Sequence, residues 1–137
     1  MAYGFSIAIR QAALNAALVP NCNGATLKMY TGVRPAAVEA AITGTLTSTL
    51  TYAAVDSFGA ATAATPVVCT AAPITQDSNA VGNAAPVTHF RVWKSDGTTP
   101  VFDGNIGLVG SGADLTLNST TIVPGGIVQI SAQTVTL

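Results

Sequence analysis

Apolar and polar residues alternate along most of this chain with the period of a β-strand, and its clearest departure from that pattern comes near the start. From Ser6 to Val19 the apolar residues Ile7, Leu14 and Leu18 recur at helical spacing among alanines. Ser6 is placed to cap the first turn, and Pro20-Asn21 is the expected stop. A short helix is therefore predicted, with a free terminal arm as the other arrangement open to it. Its one charge is Arg10, so it needs packing against its own body or against a neighbour to be stable.

After Asn23-Gly24, ATLKMYT sets Leu27 and Met29 against Thr26, Lys28 and Tyr30, the pattern of a half-buried strand that Gly32 and Pro35 end. Arg34 to Gly44, with Pro35, the lone Glu39 and several alanines, reads as a long loop or short helical turn. In TGTLTSTLTY, Leu46, Ser48 and Leu50 share one face and threonines fill the other, which predicts a second strand. Between Ala53 and Asn83 the chain is rich in Ala, Thr and Gly. Only VVCT near Val67 and ITQ near Ile74 have strand character there. VTHFRVWK and PVFDGNIG flank Asp96-Gly97 and predict a hairpin. Thr88, Phe90, Val92 and Lys94 fall on one of its faces, Val87, His89, Arg91 and Trp93 on the other, with Phe90 and Val92 the expected core residues. ADLTLN and IVQISAQTVTL, joined through Val123-Pro124-Gly125-Gly126, are expected to close the fold as a pair of strands.

One helix followed by seven or eight short strands predicts a mainly β chain: a two-sheet β-sandwich, jelly-roll or immunoglobulin-like, with a short N-terminal helix or arm. Its 137 residues suit one domain, with residues 1–22 as the helix or arm and 23–137 as the sandwich. Spacing alone does not give the strand order.

Composition changes the picture in one respect. Charged residues make up 8% of the chain, against roughly 25% in soluble domains. A surface of Thr, Ser, Asn, Gly and Ala with so little charge suits a protein that faces other protein. The net charge of −1 and five scattered Lys and Arg argue against a nucleic-acid partner, and the short, broken apolar runs against a membrane. The N-terminal stretch lacks a basic residue before its apolar part and is interrupted by Arg10 and Asn15, so it is expected to stay in the mature chain. Cys22 and Cys69 are expected to be buried reduced thiols, as in a protein made in a cytoplasm.

Catalytic constellations are not evident, and no catalytic, cofactor or metal residue is assigned. His89 lies mid-strand, where a structural or interface role is expected. Asp96, Asp103 and Asp114 lie within two residues of a glycine and are read as turn residues in preference to calcium ligands. GLVGSG lacks the strand, fingerprint and helix of a nucleotide site. Candidate interface residues are His89, Arg91 and Trp93 on the hairpin, with Trp93 open to either a contact patch or the core, and Ile7, Leu14 and Leu18 on the helix, open to either self-packing or a neighbour.

HFRVWKSDGTTPVFDGNIG and SGADLTLNSTTIVPGGIVQISAQTVTL, together with AIRQAALNAAL and ATLKMYTGVRPA, resemble capsid cement (decoration) proteins of tailed bacteriophages, of jelly-roll type. The likeness runs from end to end and is most specific in SGADLTLNSTTI. It implies a non-enzymatic subunit without cofactor on the outer surface of a virion. Its partner would be a major capsid protein, and the chain would be made in the cytoplasm of a bacterial host. A homo-oligomer is also expected, a dimer before a trimer. The competing expectation is a tail- or fibre-associated module that binds a receptor or glycan.

Overall fold

The structure, a computed structural model, describes residues 3–137; Met1 and Ala2 of the expected arm lie outside the described residues. Its organising element is the hairpin of β4 (Val87–Trp93) and β5 (Pro100–Leu108). Asp96 holds the turn by accepting from the Thr98 and Thr99 amides at 2.8 and 2.9 Å and from Thr99 Oγ1 at 2.6 Å. Gly97 takes the left-handed φ of 75° that a Cβ would strain. These bonds, that from Thr99 Oγ1 foremost, hold the Asp96 carboxyl down at about 2.

Around the hairpin, β1 (Thr26–Thr31) pairs antiparallel with β4 on one side and with β2 (Leu46–Thr51) on the other. β6 (Leu115–Leu117) adds parallel to β5, giving a five-stranded sheet of order β2-β1-β4-β5-β6. A second, two-stranded sheet pairs β3 (Val68–Thr70) antiparallel with β7 (Thr134–Thr136). The chain is thus mainly β with two sheets and one N-terminal helix, as its alternation predicts. The closing strands pair differently from the expectation. ADLTLN and the C-terminal segment do not join each other, because each finds an unfilled edge elsewhere, β6 on β5 and β7 on β3.

One face of the large sheet carries Leu27, Met29, Leu50, Phe90 and Val92, all 3% exposed or less, in one core cluster with Val67 and Cys69. Phe90 and Val92 therefore lie where the period-two reading puts them. Phe90 packs its ring onto Gly104, its cross-strand partner, where a Cβ would stand only 2.7 Å from it. Cys22 and Cys69 are both buried and unbridged, and burial pushes the Cys22 thiol up to about 11.

The helix, α1 (Ile7–Cys22), starts where expected: Ser6 Oγ accepts from the Ile9 amide. It does not stop at Pro20-Asn21 but runs on to Cys22, since proline removes one amide donor while Asn21 donates its side-chain amide to the Ala17 carbonyl at 2.6 Å. Leu14, Leu18 and Cys22 face the chain's own core. Gln11 and Asn15 grip the backbone of Ala61 at 3.0 and 2.8 Å, docking the helix onto the Ala-rich middle segment.

Candidate functional site

The other face of the large sheet carries the candidate interface residues His89, Arg91 and Trp93. The loop between β1 and β2 covers this face over His89 and Arg91, where charged and polar side chains gather, while Lys28 and Trp93 stay half-buried and Asn105 exposed. The register of the hairpin makes this cluster. Beyond a register shift between Val92 and Trp93, cross-strand partners lie symmetrically about Gly97, which sets Arg91 opposite Asp103 and His89 opposite Asn105. The β1/β4 register adds Tyr30 beside His89, their rings stacked with centroids 5.6 Å apart.

Arg91 is 1% exposed and reaches in two directions. It donates to the loop carbonyls of Ala40 at 2.6 Å and Ala37 at 3.3 Å, and it pairs with Asp103 Oδ2 at 3.4 Å. Arg34, from the loop itself, closes on Asp103 Oδ1 through Nε at 3.1 Å and Nη2 at 2.6 Å. One carboxylate thus answers two guanidiniums, and a run that would be mobile in water is fastened to the sheet at Arg34, Ala37 and Ala40. Arg91 also lies 5.4 Å from the centre of the Trp93 ring, whose indole N–H donates to Tyr30 O–H at 3.0 Å.

His89 is wholly buried in the same cluster, with Nδ1 bonded to Thr88 Oγ1 at 2.9 Å and Nε2 without a partner. Burial lowers its pKa first, the Arg91 charge second; Arg34 adds to the lowering and Asp103 opposes it. The neutral form of the ring is therefore favoured in the fold, and the ring is packed beneath the β1–β2 loop with no exposed surface. Among the described residues no group of three His, Cys, Asp or Glu is placed to hold a metal ion.

The expected interface residues thus separate. His89 and Arg91 are inside the isolated chain because the β1–β2 loop lies over them, and Leu14 and Leu18 are inside because the helix covers its own core. Trp93 is half-buried. Ile7, at 37% exposed, is the one that stays at the surface. Arg34 and Asp103, which complete the cluster, were not singled out as partners from sequence. Asp103, read from sequence as a turn residue, lies instead within β5, and its pairing with Arg91 depends on the register shift between Val92 and Trp93, which no residue pattern marks.

Apolar side chains do reach solvent in other places. Tyr3 and Phe5 before the helix are 80% and 64% exposed, and Val81, Val123 and Ile127 stand on neighbouring loops joined by the Ala80–Gly126 and Gly125–Ala80 backbone bonds. No helix among the described residues is long and apolar enough to cross a membrane. Comparisons with protein-family models, with curated proteins and with solved structures each return no match.

Proposed function

We propose that the chain is a structural subunit of a virus particle: a capsid cement protein that sits on the outside of a tailed-phage shell and stabilises the major capsid protein lattice. The observation that carries this reading is a surface with very little charge, 8% of residues overall, on which large apolar side chains such as Tyr3, Phe5, Val81 and Val123 stand free. Surfaces of that kind are at rest against protein. The resemblance of SGADLTLNSTTI and its surroundings to phage cement proteins supplies the identity of the partner. Stabilisation would be mass action: a subunit that binds only the assembled shell adds its binding free energy at every repeat of the lattice. The fastened β1–β2 loop fits such a role, since it offers a rigid surface with little ordering entropy left to lose.

A glycan-binding tail module has less support. The aromatic platform it would use is compromised, because the Trp93 N–H is engaged by Tyr30 and its ring by Arg91. Quantitative mass spectrometry of purified particles of the encoding virus tests the choice. The chain is expected near the abundance of the major capsid protein, and a few copies per particle would overturn the reading.

A further inference from the structure

We infer that the chain self-associates by arm exchange: Tyr3–Phe5 of one copy adds as a short strand to the free edge of β7 in a second copy, its two rings entering the cleft between β7 and β5. The inference rests on no part of the capsid reading.

The acceptor is an unfinished layer. Against five strands in one sheet the other has two, and among the described residues only one of its outer edges is covered. The β3 edge is closed by the segment before it, with Gly59 N donating to Thr70 O at 2.8 Å and Thr62 N to Val68 O at 2.9 Å. On β7 the inward bonds fall at alternate residues: Leu137 exchanges both bonds with Val67, and Gln133 O accepts from Ala71 N. Alternation then turns the N–H and C=O groups of Thr134 and Thr136 away from β3. They border a cleft of about 400 Å³ that is also lined by Phe90, Phe102, Asp103 and Asp114. A strand added there would continue the small sheet over the aromatic part of the large one. The opposite flank of the molecule shows what a finished edge looks like: β2 is closed by residues 75–82 through the mutual Thr51–Thr75 bonds and Gly82 N to Thr47 O.

The donor is the segment before the helix. Tyr3, Gly4 and Phe5 are non-helical and exposed, and three residues match the length of β7. In extended conformation Tyr3 and Phe5 fall on one face, so both rings point the same way, toward a cleft whose walls include two phenylalanines. Neither lines that cleft in its own chain. Ser6 fixes the exit direction by capping Ile9 with an extended backbone, φ −61° and ψ 158°. Arg10 donates to Leu137 O at 3.5 Å, which sets the start of the helix beside the end of β7. Arm and acceptor edge therefore share one corner, and two copies related by a two-fold axis can satisfy both exchanges there. No charged side chain occurs in Tyr3–Ile9 or Gln133–Leu137, so the exchanged segments themselves bring no like charges together.

The test uses the full chain. Sedimentation velocity is expected to show a dimer, and Tyr3→Ser with Phe5→Ser is expected to weaken it about ten-fold or more while leaving the melting temperature unchanged at concentrations where parent and variant are both monomeric, since both side chains are solvent-exposed in the monomer. Thr136→Pro should do the same, because it removes an amide that points away from β3. Mixing isotope-labelled Phe5→Cys chains with unlabelled Thr136→Cys chains should give mixed-mass disulfide dimers on mild oxidation. A parent chain that stays monomeric overturns the inference. So does a Phe5→Cys/Thr136→Cys double variant that closes the bond within its own chain, or an arm that is protected only when capsid shells are added.

Discussion

Arg91 is the residue at which sequence and structure diverge most instructively. Alternation places it on the face opposite Phe90 and Val92, and that placement holds. What alternation cannot show is that a loop from elsewhere in the chain covers the second face, making a charged residue 1% exposed. Such a residue is tolerated because Asp103 and the carbonyls of Ala37 and Ala40 answer it. Replacing Arg91 by Ala is expected to destabilise the fold by about 3–5 kcal/mol in urea unfolding, since Asp103 would keep a buried charge with only Arg34 beside it. Arg91→Met combined with Asp103→Leu should recover much of that loss. His89 adds a pH dependence. Its neutral form is favoured in the fold by burial and then by Arg91, while in the unfolded chain it takes up a proton near its ordinary value of 6.5. The unfolded state then binds more protons, so stability is complete above 6.5 and falls as pH drops below it. Melts from pH 8 to 5 should show this fall in the parent and a flatter profile in His89→Gln; identical profiles would remove His89 as the cause.

At the level of elements, legibility followed how local the determinants are. The helix start at Ser6, the hairpin about Asp96-Gly97 and strands β1 and β2 are set by neighbours in sequence, through a cap, a turn and a side-chain period. The pairing of β6 with β5 and of β7 with β3 depends on which edges remain after the hairpin has formed, and three-residue strands carry too little pattern to announce that. The same holds for the Ala-rich middle, where Asp77 acts as an edge guard that no motif marks. Its carboxylate accepts from Ser48 Oγ and the Thr49 amide at 2.9 Å and from the Asn79 amide at 3.0 Å, closing the outer side of β2. Burial pushes its pKa up, but these three bonds outweigh it and hold the carboxyl below its ordinary value of 3.8. Asp77→Ala is expected to cost about 1–3 kcal/mol in denaturant unfolding, because Ser48 and the Thr49 amide lose their acceptor. It should also raise light scattering on standing, because the Thr49 amide is left unpaired between the backbone bonds that close the edge at Thr47 and Thr51. Unchanged stability would mean that water replaces the carboxylate there.

For the whole molecule the deciding quantity is charge. Five basic and six acidic side chains serve 137 residues, and Arg34, Arg91 and Asp103 are spent within the fold. What remains outside cannot build opposed patches, so attachment to a shell would have to come from apolar contact and backbone hydrogen bonding. The two modes respond oppositely to salt. Raising ionic strength from 0.1 to 1 M shortens the screening length from about 10 Å to about 3 Å and would release a subunit held by charge. Apolar burial is unaffected by that change and is strengthened by an excluded salt such as sulfate. Washing decorated particles with rising sodium chloride, and in parallel with sodium sulfate, should therefore release little protein in either series, with sulfate the more retentive. Release at moderate chloride would place attachment on the few surface charges, Lys28, Lys94 and Glu39 among them, and would remove the inference from low charge to protein-facing surface on which the capsid reading stands.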